Sequence, residues 1–112
     1  MLGKKNWRKN LSIKELIFRI TSMIPLGKVL TYKNLAKLAG VKNPRVVGNI
    51  LHQNKDPDTI PCHRVVHNDG ILAQNYAFGG KTSQKEKLLK ENIEFISDKV
   101  NLQRHLWQPI IF

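Results

Sequence analysis

Apolar positions recur along the first half of the chain at intervals of three and four, the spacing that lines one face of a helix. Ile13, Leu16, Ile17, Ile20 and Ile24 form the first such set, and Ser12 with Glu15 three residues later has the spacing of a capping box that opens it. Pro25 and Gly27 stop it. Thr31 caps a second, short helix with Leu35, Leu38 and Ala39 on its inner face and Gly40 as a left-handed stop. Asn43 followed by Pro44 reads as an N-cap with proline at the first helical position, and Val46, Val47, Ile50 and Leu51 share the periodic face of this third helix. Two short helices joined by a glycine-containing turn predict a helix-turn-helix, with the second as the recognition helix.

The pattern changes after Leu51. Residues 54–58 have loop composition, and Val65-Val66, Asn68-Asp69-Gly70 and Ile71-Leu72 read as strand, turn and strand, a small wing. Ser83 and Glu86 repeat the capping-box spacing and predict a helix that runs through Leu88 and Leu89 toward Glu91. Phe95, Ile96, Val100, Leu102, Leu106 and Trp107 then pack the tail back on the core. With 112 residues and no linker or repeat, one core is expected. The expected fold is mainly α with a small β wing, a winged helix-turn-helix-like single domain over residues 10–112, preceded by a basic segment at 1–9.

Charge sharpens this picture. Nineteen Lys and Arg against eight Asp and Glu leave a net charge of +11, a surplus suited to a polyanion such as nucleic acid. No carboxylate occurs from residue 16 to residue 55, where Arg19, Lys28, Lys33, Lys37, Lys42, Arg45 and Lys55 lie. Apolar runs are too short for a membrane span, Ile110-Ile111-Phe112 being typical, so no membrane partner is expected and a cytoplasmic, nucleoid-associated location is. The single cysteine, Cys62, excludes an internal disulfide.

That cysteine stands in Ile60-Pro61-Cys62-His63-Arg64-Val65, a thiol beside an imidazole and a guanidinium. The thiolate is the nucleophilic form, and a neighbouring base or positive charge makes it easier to form. A lone cysteine in a soluble domain is more often a small buried hydrophobe, and the local cluster leaves both readings open.

Pro61-Cys62-His63-Arg64-Val65 resembles the acceptor-site motif of the O6-alkylguanine-DNA alkyltransferases. The family's order also holds in Ile24-Pro25-Leu26-Gly27-Lys28-Val29, Thr31-Tyr32, Leu35-Ala36, Arg45-Val46-Val47-Gly48, Asn54, Tyr76-Ala77-Phe78-Gly79, and Lys85 with Leu88-Leu89. The resemblance runs from about Asn10 to Trp107 and covers the family's C-terminal DNA-binding and active-site domain.

The resemblance implies that Cys62 takes the alkyl group from O6 of guanine in one irreversible transfer. His63 accepts the thiol proton through water and a later carboxylate orients the imidazole. Asn54 is the hinge between recognition helix and active-site strand. Tyr32 meets the flipped base, Arg45 fills the vacated stack, and Thr31, Lys33 and Gly48 belong to the same DNA-contacting surface. Pro61, Val65, Tyr76 and Ala77 form the substrate pocket, the Val65 carbonyl reading the exocyclic amine. The implied partner is double-stranded DNA carrying O6-alkylguanine, bound by a monomer from the minor groove, with no cofactor and no metal.

The chain departs from the family at several positions. Val46 and Ile50 replace alanines that let the recognition helix lie deep in the groove, Ala77 replaces a serine, and Gln74 and Asn75 replace glycines before Tyr76. Asn92 occupies the position of the expected glutamate, which makes Glu91 the choice to orient His63 and Glu94 the reserve. Two further readings stay open: a lesion sensor like the alkyltransferase-like proteins, which replace the acceptor cysteine, and a helix-turn-helix transcription factor, which has no use for a thiol beside His63.

Other motifs have plainer explanations. Gly79-Gly80-Lys81-Thr82 ends like a phosphate-binding loop, but Asn75 stands where its first glycine belongs. His52, His63, His67 and His105 with Cys62 match no common zinc spacing. Phe95 and Trp107 are expected in the core rather than as platforms for bases.

Overall fold

In the computed structural model, which describes residues 11–109, the three helix starts of the first half form as the sequence predicts. Helix α1 spans Ile13–Ser22 under a complete capping box, Ser12 Oγ accepting from Glu15 N at 3.1 Å and Glu15 Oε1 accepting from Ser12 N at 2.9 Å. Leu16, Ile17, Ile20 and the following Ile24 are buried, while Ile13 stands exposed on the first turn. Helix α2, Tyr32–Ala39, starts at Thr31, whose hydroxyl accepts from Asn34 N, and stops at Gly40 in the left-handed region at φ 74°. Helix α3, Pro44–Leu51, starts at Asn43, whose side chain accepts from Arg45 N. Val47 and Leu51 face the core, Ile50 is half-buried and Val46 is exposed. The basic segment at 1–9 and the apolar run at 110–112 lie outside the described residues.

The second half corrects the expected wing. Val65–Val66 is a strand, but its partner is Leu30–Thr31, in parallel, with Leu30 opposite Val65 and Thr31 opposite Val66. We label these β1 (Leu30–Thr31) and β2 (Val65–Val66). Ile71-Leu72 is not a strand: His67 N–H donates to the Ile71 carbonyl and Gly70 N–H to the His67 carbonyl, closing a tight loop. The physical reason is burial. Both valines are fully buried, so both faces of the strand need cover, as in parallel interior pairs, and a two-stranded surface wing leaves one face wet.

Because successive strand residues point to opposite faces, β1 and β2 divide two cores. Leu30 and Val65 join the core of α1, α2 and α3, together with Cys62, Ala73 and Tyr76. Val66 and Val29 join a second core with Leu72, Leu88, Ile93 and Val100.

Helix α4 spans Gly80–Lys90 and begins before the Ser83 cap that the sequence predicts. Gly80 N–H donates to the Tyr76 carbonyl at 2.9 Å, so the loop has already turned into helical register. Ser83 packs instead over Gly79, where an added Cβ would lie 2.7 Å from its own Cβ. At the other end, Asn92 N–H donates to Leu89 O and Ile93 N–H to Leu88 O around a left-handed Asn92 (φ 62°), a Schellman stop sealed by the buried Leu88 and Ile93.

The tail holds an unpredicted hairpin of β3 (Phe95–Ile96) and β4 (Lys99–Val100). Its two turn residues, Ser97 and Asp98, both have positive φ, the conformation of a tight hairpin turn, without the Asn-Gly or Asp-Gly pair that announces one in sequence. Helix α5, Leu102–His105, follows, and Trp107 N–H donates to the Val29 carbonyl at 2.8 Å, tying the tail to the start of β1. His105 Nδ1 meets the Gly27 carbonyl and its Nε2 accepts from Glu94 N. Half-buried Trp107 and Phe95 pack on the first and second cores respectively. The described residues are mainly helical with two small sheets.

Gly70 and Gly27 test how closely the second core is built. Both have positive φ, but a Cβ on Gly27 meets nothing within 4 Å, whereas one on Gly70 would lie 2.6 Å from the Val100 carbonyl oxygen. Gly27→Ala should cost about 1 kcal/mol, the left-handed penalty alone. Gly70→Ala should cost about 3 kcal/mol in urea denaturation, because Val100 cannot withdraw without losing its hydrogen bond to the Gly70 carbonyl. Equal losses would show that the contact yields freely.

Candidate functional site

Cys62 opens a single 3₁₀ turn, Cys62–Arg64, that leads directly into β2. Buried Pro61 fixes the approach, and buried Asn54, just past the end of α3, holds the turn from the side. Its Nδ2 donates to the Ile60 carbonyl at 2.8 Å and lies 3.2 Å from Cys62 Sγ, while its Oδ1 accepts from Asp56 N. Asn54 thus touches both the segment leaving α3 and the Cys62–Arg64 turn. Burial pushes the Cys62 thiol up, outweighing the Asn54 hydrogen bond and the positive charge of Lys87, so the resting group is the protonated thiol.

The next two residues converge on one carboxylate. His63 Nε2 lies 2.8 Å from Glu91 Oε2, and Arg64 donates through Nε to Glu91 Oε1 and through Nη2 to Oε2, each at 2.9 Å. Arg64 Nη1 donates to the Ile24 carbonyl at 2.7 Å, so the same guanidinium reaches the chain after α1. Glu91 caps the C-terminal end of α4, and the left-handed Asn92 carries the chain away immediately after it. Glu94 is elsewhere, its Oε1 accepting from Arg104 and Asn101.

A carboxylate on Nε2 selects the tautomer with its proton there and leaves Nδ1 as the acceptor. Nδ1 is buried and makes no hydrogen bond among the described residues. Burial holds His63 below the ordinary imidazole range despite Glu91, so the ring is neutral. Burial also pushes Glu91 up, but hydrogen bonds from Arg64 and His63 outweigh it and hold the carboxyl below its usual range.

A cleft of about 1210 Å³ opens beside this network between α2–α3 and the loop at 71–77. Tyr32, Arg45, Gly48 and His52 line one side, and Gln74, Asn75, Tyr76 and Ala77 the other. Tyr32 sits 5.1 Å from the His67 ring, and burial with the nearby Cys62 charge pushes its phenol up to about 12. Tyr76 is buried against the same core as Cys62, and burial raises its phenol strongly as well. Gly48 approaches Tyr32 closely enough that a methyl there would make ordinary contact at 3.9 Å.

Several expected residues are placed differently from one another. Arg45 and Lys33 are exposed, as a DNA-facing role requires, but Thr31 is buried and its hydroxyl caps α2. Val65 is fully buried and its carbonyl accepts from Gln84 Nε2 at 3.0 Å, leaving one lone pair for any amine. Three contacts escaped the sequence reading. Arg64 clamps Glu91, and Lys87 donates to Tyr76 Oη at 2.8 Å. The wholly buried Gln84 also donates to the His63 carbonyl and accepts from Ala73 N. Gln84, Lys87, Leu88 and Glu91 share one helical stripe, the signal that could have grouped them. Among the described residues, no group of three or more His, Cys, Asp or Glu is arranged to hold a metal ion, and no helix is long and apolar enough to cross a membrane.

Comparisons with known proteins agree on one relationship. A family model described as "6-O-methylguanine DNA methyltransferase, DNA binding domain" matches residues 12–93. The chain is similar to the methylated-DNA–protein-cysteine methyltransferase of Rattus norvegicus, 36% identical over 81 residues, which are 71% of this chain and 38% of that protein. It therefore spans well under half the length of that relative. It is also similar to the DNA base-flipping protein of Escherichia coli, 32% identical over 106 residues, 93% of this chain and 81% of that one. Among solved structures, S. pombe Atl1 in complex with damaged DNA containing O6-carboxymethylguanine superposes with a TM-score of 0.77 at 27% identity, covering 87% of this chain and 95% of that one.

The Arg64–Glu91–His63 network has a pH signature. Because the Glu91 carboxyl is depressed in the folded state, its contribution is fully present above the ordinary glutamate range and is lost as pH falls through the lower folded value. Arg64→Ala should therefore cost about 2–3 kcal/mol at pH 7, with the gap from the parent closing in acid as Glu91 protonates. In NMR titrations His63 should ionise below the usual imidazole range, and Glu91→Gln should move it lower still by removing the carboxylate that favours the imidazolium. An upward move would mean that His63 does not face Glu91 in solution.

Proposed function

The chain belongs to the 6-O-methylguanine DNA methyltransferase family through its DNA-binding domain, and on that premise we propose that it repairs DNA by moving an alkyl group from O6 of guanine to Cys62, once per molecule. The observation that carries this reading is the pairing of the only cysteine with a neutral His63 whose Nε2 is taken by Glu91 and whose Nδ1 is free to accept a proton. A thiol raised by burial needs such a base, because little thiolate exists before the proton leaves.

In this mechanism the thiol proton passes by way of water to His63 Nδ1. The S–C bond then forms as the C–O6 bond breaks. Guanine leaves with a proton from the Tyr32 phenol, and the imidazolium returns one to Tyr32, so thiol and alkylguanine become thioether and guanine. A phenol pushed up to about 12 keeps its proton at neutral pH and so meets the base as a donor. Arg64 and Glu91 hold the imidazole in one orientation throughout, and Asn54 steadies the sulfur.

The protein would approach duplex DNA as a monomer from the minor groove, with α2 and α3 as a helix-turn-helix. The carboxylate-free basic stretch and exposed Lys33 and Arg45 suit phosphate contact, and Arg45 at the start of α3 suits filling the stack left by an extruded base. Exposed Val46 at the DNA-facing side of α3 makes for a shallower fit than a small residue would.

One observation favours a second reading, lesion recognition without transfer: the chain is similar to a protein named for base flipping and to Atl1, whose solved structure holds damaged DNA.

Intact mass after incubation with a duplex carrying O6-methylguanine separates the two. Transfer should add one methyl group, located on Cys62 and absent in Cys62→Ala, while an unchanged mass with tight lesion binding would establish the second reading. Arg45→Ala should slow transfer from duplex DNA by roughly tenfold or more, yet leave transfer from free O6-benzylguanine near the parent rate, since only the duplex requires extrusion. Equal losses on both substrates would assign Arg45 to the pocket or the fold.

A further inference from the structure

Helix α4 turns one stripe toward the Cys62–Arg64 turn. Gln84 reaches the His63 carbonyl at 3.0 Å and Glu91 reaches the His63 ring at 2.8 Å. Lys87, three residues after one and four before the other, lies on the stripe between them. Its Nζ donates to Tyr76 Oη at 2.8 Å and sits 5.2 Å and 5.4 Å from the ring centroids of Tyr76 and Phe78. The ammonium is therefore held by a hydrogen bond and two aromatic faces. Among the described residues, no carboxylate lies within ion-pair distance of it.

The other groups around Cys62 carry little net charge. Tyr32 from α2 and Tyr76 from the 71–77 loop keep their protons, Asn54 beyond α3 offers only a dipole, and His63 is neutral. Arg64 is matched by Glu91. Lys87 remains as the unmatched cation of the site. We propose that Lys87 is a positioning residue for the transfer reaction: its ammonium, fixed by Tyr76 and Phe78, supplies the positive charge that stabilises the Cys62 thiolate as it forms. The proposal deepens the transfer reading and concerns the same sulfur. The Lys87 charge lowers the thiol and also lowers His63, so it favours thiolate without making the imidazole a stronger base. A lysine that merely packs its stem on two rings would leave the thiol's ionisation unchanged.

Iodoacetamide tests this without DNA, because Cys62 is the only thiol in the chain. Alkylation rates of the intact protein are measured by mass between pH 6 and pH 11 for the parent, Lys87→Met and Lys87→Arg. The Lys87→Met profile should move to higher pH, with the rate at pH 7.5 falling about threefold to tenfold and the alkaline plateau unchanged. Lys87→Arg should keep the parent midpoint. A Lys87→Met midpoint equal to the parent's overturns the proposal even if its plateau falls, since a changed plateau reports access or folding. A Lys87→Arg midpoint as displaced as that of Lys87→Met overturns it too. A displaced Lys87→Met midpoint in a protein that gains no methyl group from damaged DNA keeps the Lys87 assignment and removes only the transfer reading.

Discussion

The Glu91 carboxylate is the point at which the site is assembled. Its two oxygens accept from His63 and twice from Arg64, and Arg64 continues to the Ile24 carbonyl. One acidic group, with the Arg64 it holds, thus ties the end of α4 to the Cys62–Arg64 turn and that turn to the segment after α1. The arrangement suits a partly buried charge, because each carboxylate oxygen and each nitrogen facing it has a partner, the condition under which burying an ion pair is tolerated. It also selects the tautomer: the proton it holds on Nε2 is what leaves Nδ1 as an acceptor.

The two-residue strands have an influence larger than their length. By facing alternate residues into two cores, β1 and β2 anchor the turn before β2 between the helical half of the chain and the α4 half. Cys62 consequently sits in the interior of the first core while Tyr32 and Tyr76, its neighbours there, line the open cleft. Gln84 reinforces the same junction, bonding the His63 and Val65 carbonyls and the Ala73 amide from one buried side chain. A buried amide with all these bonds made is stabilising, and any one left open would be costly.

Charge is separated by depth. The carboxylate-free stretch puts unpaired cations such as Lys33 and Arg45 at the surface of α2 and α3, where a polyanion can neutralise them. Beneath that surface the ionised groups are paired, apart from the ammonium of Lys87 on its aromatic rings. Burial keeps the thiol protonated and the imidazole neutral, so Cys62 and His63 themselves carry no charge at rest.

The sequence by itself determined what a few adjacent residues can settle. The caps at Ser12, Thr31 and Asn43 and the stop at Gly40 were legible because a helix end is satisfied by hydrogen bonds reaching no further than a few residues, and the thiol with its neighbouring imidazole was legible as a motif. What tertiary structure decided involves partners distant in the chain. Val65–Val66 looked like one arm of a hairpin until Leu30–Thr31 covered it, since a short apolar strand carries no record of which strand it joins. The start of α4 moved to Gly80 because the Tyr76–Gly80 turn was already closed by backbone hydrogen bonding. Glu91 rather than Glu94 meets His63 because the helix ends at Glu91 and Asn92 turns left-handed, which sets the direction of a side chain by a backbone angle. Gln84 and Lys87 were unremarkable polar residues in the sequence, and they acquired roles only when packing removed water and left each donor to find an acceptor on another element; Arg64 was legible as a charge beside the thiol but not as the clamp on Glu91.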